Sequence, residues 1–91
     1  MRATELREIL ARRELRLRRD LGQNYLLDDE LADRLVAHAG VEPGDAVIEV
    51  GAGLGVLTRA LARAGARVHA IEIDRGIVKA LEEEGLLPEG A

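Results

Sequence analysis

Three alternating glycines, Gly51, Gly53 and Gly55, follow an acid at Glu49, and a second acid, Glu72, stands twenty-one positions after Gly51. Glycine admits φ > 0 in a sharp turn and lets the backbone approach a ligand that a Cβ would repel. A carboxylate about 20 residues beyond such a loop can accept hydrogen bonds from both hydroxyls of a ribose. The pair therefore suits the holding of a nucleoside-type ligand. The plainer reading of Glu72 is an edge cap, and Asp74 is a candidate cap for the helix that follows. No Gly-Lys-Ser/Thr follows the loop, which argues against a nucleotide triphosphatase. The dinucleotide fingerprint G-x-G-x-x-G needs a glycine where Val56 stands, which argues against a dehydrogenase.

The loop works only if a strand delivers it and a helix receives it. Ala46 to Val50 is a short apolar run suited to a buried parallel strand. After the loop, Leu57, Leu61 and Ala64 mark the inward stripe of a helix that ends at Gly65. Arg67 to Ile73 reads as a second strand, with Glu72 at its end. Ile77, Val78 and Leu81 mark one more helix, ending near Gly85. Upstream, residues 4–15 read as a helix capped by Thr4, with Leu6, Ile9 and Leu10 on one face. Residues 16–27 lose the period and read as an arm. Asp28 or Asp29 then caps a helix with Leu31, Leu35 and Val36 at helical spacing, and Gly40 ends it. Glu42-Pro43-Gly44-Asp45 is a turn into the first strand. The order is helix-helix-β-α-β-α. Its last four elements form a βαβα unit of an α/β fold with parallel strands.

Composition bounds the rest. Ninety-one residues make at most one small domain, and 47% hydrophobic with 33% charged residues describes a globular chain rather than a disordered one. Tyr25 is the sole aromatic, so the core must be built from Leu, Val, Ile and Ala. The chain has no cysteine and only His38 and His69, which argues against disulfides and a zinc site. His38, His69 and Tyr25 read as structural. With no long apolar run and no signal-peptide pattern, a soluble cytoplasmic protein without metal is expected. Charge is unevenly placed. Residues 1–19 hold seven arginines against three glutamates, +4, and the remainder holds six basic and fourteen acidic residues, −8. A basic segment before an acidic body suggests a nucleic-acid contact through Arg12, Arg13, Arg16, Arg18 and Arg19. The alternative is a solvated, charged helix. The run Glu82-Glu83-Glu84 reads as a solvated helix face.

The tight G-x-G-x-G preceded by Glu49 resembles the first motif of the class I S-adenosylmethionine-dependent methyltransferases, which have a Rossmann-like fold. A second segment, Gly22-Gln23-Asn24-Tyr25-Leu26, narrows the resemblance. It is similar to the Gly-Gln-Asn/His-Phe-Leu segment of the ribosomal RNA adenine dimethyltransferases. The likeness continues through the Pro-Gly-Asp turn, Glu49 to Thr58, and Ile71-Glu72-Ile73-Asp74-Arg75, covering about residues 16–84. It implies S-adenosylmethionine as cofactor. It also implies contacts from Asn24 and Leu26, which fold over the ligand, and from Gly51, Gly53 and Gly55 beneath its amino-acid end. Glu49 would order the loop and the ligand's ammonium, Glu72 would bind the ribose, and Ile73 would lie beside the adenine. Tyr25 departs from the usual phenylalanine, adding a hydroxyl that needs a partner. Ala52 stands where housekeeping enzymes often have proline and is seen in macrolide-resistance relatives. Gly22 points the other way, to the housekeeping branch.

The resemblance also implies what to expect elsewhere. The family holds its target adenine with an Asn-Leu-Pro-Tyr-like segment after a fourth strand, as base-modifying enzymes that flip their target require. No such segment occurs in these 91 residues, so no catalytic residue is assigned. The chain is read as the N-terminal part of the fold with an incomplete sheet. Residues 1–20 are a basic helix and arm, and residues 21–91 the first half of the cofactor domain. The catalytic half and a C-terminal helical domain are absent. The complete protein is expected to dimethylate adenine N6 in ribosomal RNA or a small-subunit precursor, as a monomer without metal. Alternatives are another class I methyltransferase, or an inactive cofactor- or RNA-binding remnant. The 91-residue chain alone is expected not to methylate ribosomal RNA. Transfer of labelled methyl from S-adenosylmethionine into ribosomal RNA above the protein-free rate would overturn this.

Overall fold

A computed structural model describes residues 3–15 and 28–91 of the chain. Its elements are α1 (Ala3–Arg12), α2 (Asp29–His38), β1 (Ala46–Val50), α3 (Val56–Arg63), β2 (Arg67–Ile71) and α4 (Arg75–Glu83). The order is the one read from hydrophobic period and turn signals. Two helix starts are fixed by acids at the N-cap. Asp28 accepts a hydrogen bond from the Leu31 amide at 3.1 Å, and Asp74 accepts from the amides of Gly76 and Ile77 at 2.9 and 3.2 Å.

β1 and β2 pair in parallel, with Ala46 opposite Arg67 and Val50 opposite Ile71. Side chains alternate across the pair. Val47, Glu49, Val68 and Ala70 share the face turned to the helices, and the other face carries Ile48 and Val50, 70% and 80% exposed. At the start of the strands the Glu42–Asp45 turn locks to the end of α3. The Gly44 amide donates to the Gly65 carbonyl at 2.9 Å, and the Arg67 amide donates to the Asp45 carbonyl at 2.7 Å. Gly65, at φ 88°, leaves room for Pro43, which a Cβ would meet at 2.9 Å. A larger residue there would push the two turns apart.

The core is one aliphatic cluster drawn from every helix: Leu6 and Ile9 of α1, Ala32 and Val36 of α2, Ala60 and Leu61 of α3, Ile77 and Leu81 of α4, with Leu54, Val56, Val68 and Leu86. α1 is thus part of the same core as the strands. Its last turn is held to α4 by ion pairs, Arg12 to Glu84, and Arg13 to Glu83 and Glu84 at 2.9 and 3.0 Å. Hydrogen bonding to Arg13 holds the Glu83 carboxyl below the usual carboxylate range.

Four local expectations change. The first helix begins at Ala3, so Thr4 lies inside it. β2 stops at Ile71 instead of Ile73, because β1 turns away at Gly51 and leaves residues 72 and 73 without a ladder partner. Leu31 and Leu35 are exposed, since α2 buries its small Ala32 together with Val36 and packs on α3 along that stripe. Glu83 and Glu84 are partners of α1 rather than a solvated face. Ile77 is fully buried at the centre of the cluster. Ile77→Val removes one methylene and is expected to lower unfolding stability by about 0.5–1.5 kcal/mol. A urea midpoint unchanged at constant m-value would contradict this packing.

Candidate functional site

The carboxyl ends of β1 and β2 meet the glycine loop. Gly51, Gly53 and Gly55 have φ of 80°, 56° and 79°, the left-handed region that favours glycine. The amides of Gly51 and Ala52 both donate to the Ile71 carbonyl, at 2.7 and 3.2 Å, so the loop leaves β1 already bound to the end of β2. Gly51 is open: a Cβ built on it meets nothing within 4 Å. Gly55 is enclosed, where a Cβ would stand 2.9 Å from Arg59 Nη1 and 3.2 Å from Leu81 Cδ2.

Glu72 is the first residue beyond β2 and is half-buried. Its Oε1 accepts from the Gly53 amide at 2.9 Å and its Oε2 from the Asp74 amide at 3.0 Å. An ionised carboxylate has about four acceptor positions, so two backbone bonds leave each oxygen able to accept another. The side chain is pre-oriented across the mouth of the loop. Ile73, beside it, is 70% exposed, an apolar surface next to a fixed acceptor. The alternative role of capping α4 falls to Asp74.

Glu49 sits in the wall of the site. It is 7% exposed, on the helix-facing side of β1, and accepts a hydrogen bond from Thr58 Oγ1 of α3. Burial raises its pKa above the ordinary glutamate value, the Thr58 bond opposes the rise, and the charge of Glu72 adds to it. The site is therefore two carboxylates, neither of which has an ion-pair partner among the described residues. Such a pair favours a ligand that brings positive charge and opposes a pyrophosphate.

The structure brings Glu49, Gly51, Gly53, Gly55, Glu72 and Ile73 into one corner of the fold. Asn24, Leu26, Arg16, Arg18 and Arg19 lie outside the described residues. Arg12 ends α1 and Arg13 follows it, paired with Glu83 and Glu84. Two residues went unremarked in the sequence. Thr58 is fully buried, and its signal was a lone hydroxyl on the inward stripe, three residues before Leu61. Arg59 donates through Nη1 to the carbonyls of Leu54 and Leu86 at 2.8 and 2.9 Å. No group of three or more His, Asp and Glu side chains is placed to hold a metal ion among the described residues. No described helix is long and apolar enough to cross a membrane.

The profile of a family described as Ribosomal RNA adenine dimethylase matches residues 14–89 of the chain. A protein named Ribosomal RNA small subunit methyltransferase A from Thermotoga neapolitana is 51% identical over 69 residues, which is 76% of this chain and 26% of that one. Its namesake from Pelotomaculum thermopropionicum is 48% identical over 79 residues, 86% of this chain and 26% of its own. The Bacillus licheniformis protein of the same name is 43% identical over 83 residues, 89% of this chain and 28% of its own. The chain spans about a quarter of the length of these curated relatives.

Because burial raises the Glu49 pKa, the folded state keeps that proton to higher pH than the unfolded chain. Its contribution to stability is then greatest below the ordinary glutamate range and falls as pH rises through the raised value. Glu49→Gln retains an acceptor for Thr58 without the charge. The variant is expected to be more stable than the parent near pH 8, with the gap closing as pH falls into the ordinary glutamate range. Urea unfolding at several pH values checks this, and a gap that does not vary with pH would contradict it.

Proposed function

The chain belongs to the ribosomal RNA adenine dimethylase family, and from that premise we propose that it is the part of such an enzyme that holds S-adenosylmethionine for methylation of adenine N6 in ribosomal RNA. One observation carries the cofactor half of this reading. Glu72 is locked by the amides of Gly53 and Asp74 with acceptor capacity to spare, beside an open glycine turn and an exposed Ile73. Such a constellation fits an adenosine: ribose hydroxyls on Glu72, adenine against Ile73, and the amino-acid end passing Gly51 and Gly53. Two nearby carboxylates, Glu49 and Glu72, suit a sulfonium that also carries an ammonium.

Bound there, S-adenosylmethionine supplies an already electrophilic methyl group. The residues of this chain then bind and orient it. Glu72 sets the ribose, Gly51 admits the ligand backbone, and Glu49 supplies negative charge at the amino-acid end, directly or through water. In this proposal Asn24 and Leu26 close the pocket from the segment before α2. Adenine N6 takes one methyl and then a second, held by residues that lie in the part of the family's length this chain does not span.

The partner in this reading is ribosomal RNA or a small-subunit precursor, the compartment the cytoplasm, and the complete enzyme a monomer. Residues 1–20 serve as a basic helix and arm ahead of the cofactor domain. Arg16, Arg18 and Arg19 are proposed RNA contacts. Arg12 and Arg13 join them by exchanging the carboxylates of Glu83 and Glu84 for phosphates. The neighbouring acids Glu49 and Glu72 count, with Val56, against a dinucleotide enzyme, whose ligand is an anion.

Calorimetric titration with S-adenosylmethionine tests the site directly. Glu72→Ala removes the acceptors for two hydroxyls and is expected to weaken binding by at least about ten-fold, at 1.4 kcal/mol per decade. Parental affinity in this variant, or tighter binding of NAD than of S-adenosylmethionine by the parent chain, would overturn the reading.

A further inference from the structure

We propose that Arg59 is a positioning residue for the glycine loop, and that the third glycine, Gly55, which its left-handed backbone already favours, also leaves clear the space this guanidinium occupies. The inference rests on the reading of the loop as an S-adenosylmethionine site and adds a residue to it. Arg59 lies one turn into α3, and its Nη1 reaches back to the Leu54 carbonyl at 2.8 Å and across to the Leu86 carbonyl at 2.9 Å. One cationic donor thus ties the loop to the chain leaving α4. Leu54 is the residue between Gly53 and Gly55, so its carbonyl is two peptide units along the chain from the amide that Gly53 gives to Glu72. Shifting that carbonyl shifts the amide and with it the ribose acceptor.

The space around the glycines separates two jobs. Gly51 faces an opening, with nothing within 4 Å of a Cβ, which suits ligand approach. Gly55 faces inward, where a Cβ would lie 2.9 Å from Arg59 Nη1, 3.2 Å from Leu81 Cδ2 and 3.4 Å from the Leu86 carbonyl. The missing side chain is the passage through which the guanidinium reaches its two acceptors. Nη2 is buried without a hydrogen-bond partner among the described residues, and the charge of Asp29, at the start of α2, opposes the effect of burial on the guanidinium. The cation therefore stands between the loop, the end of α4 and the beginning of α2. The partly buried guanidinium is held there by the two carbonyls that Nη1 reaches and by the charge of Asp29.

The test compares Arg59→Met, which keeps an apolar stem and loses the donors, with Arg59→Lys, which keeps a cation. Two measurements on the 91-residue chain are read together: backbone amide NMR signals, and S-adenosylmethionine affinity by calorimetry. In Arg59→Met the Gly53, Leu54 and Gly55 amides are expected to shift and broaden. Those of Gly44 and Gly65, at the opposite end of the strands, should stay in place. Affinity is expected to fall by about ten-fold, with part of the loss restored in Arg59→Lys. Unmoved loop amides with parental affinity, or changes spread evenly over the chain, would overturn the proposal. Should Arg59→Met not fold, Arg59→Lys is judged by the same amides, with a smaller displacement expected. If the parent chain binds no S-adenosylmethionine, the cofactor reading fails, and the loop amides still decide the role of Arg59.

Discussion

The carbonyl of Ile71 accepts two amides, those of Gly51 and Ala52, and one residue later the Glu72 carboxylate accepts two more, from Gly53 and Asp74. Three of these bonds, from the amides of Gly51, Ala52 and Gly53, join the end of β2 to the loop that leaves β1, and the fourth, from Asp74, fixes the Glu72 side chain from its own side. They explain why three residues with left-handed backbones can persist in so small a chain. The amides of Gly51 and Gly53 are themselves two of the donors that cross to the end of β2, and Gly55 lies beside Leu54, whose carbonyl accepts from Arg59. The parallel register makes this possible, since it sets Val50 beside Ile71 and brings the loop level with the acid. At the far end, Pro43 seated on Gly65 and the Gly44–Gly65 bond hold the same register from below. The strands are short, five residues each, so clamps at both ends govern nearly their whole length.

The acids of this fold divide by their surroundings. Glu83 and Glu84 take arginine partners from α1, and Asp28 and Asp74 take amides at helix N-termini. Glu49 takes only a hydroxyl, on the buried face of β1, and burial acts against its charge. A group held in this way is poorly suited to a purely structural role, because a neutral side chain would fill the place at lower electrostatic cost. The same argument applies in reverse to Arg59, a partly buried cation that serves two carbonyls. Both expensive groups stand on either side of the glycine loop, where polar precision matters most.

Much of this was legible in the chain itself. The boundaries of β1, the Asp74 cap and the meeting of the glycine loop with Glu72 follow from local chemistry: alternation, side-chain oxygens near helix starts, and the length of one crossover helix. What escaped depends on how distant segments meet. Thr58 and Glu49 are nine residues apart, and their contact exists only because the loop reverses the chain between strand and helix. The outward position of Leu31 and Leu35 reflects a choice of packing stripe on α2, which a period of 3.6 leaves open when Ala32 offers a closer approach to α3. The pairing of Arg12 and Arg13 with Glu83 and Glu84 spans some seventy positions and had no local signature. The segment carrying Gln23 to Leu26, the most telling part of the family likeness, lies outside the described residues.

Every member of the buried cluster is Leu, Ile, Val or Ala. Aliphatic groups have no ring quadrupole and no preferred edge or face, so shape alone selects among ways of packing them. Uniqueness must then come from elsewhere: from the glycine turns, the two N-caps and the buried polar links of Glu49 and Arg59. The fold is in this sense an interchangeable filling inside a frame of directional bonds. The same feature makes loss of packing almost invisible to ultraviolet absorption or near-UV dichroism, with Tyr25 the only aromatic chromophore. It makes the interior correspondingly transparent to methyl resonances, because each buried apolar side chain carries at least one.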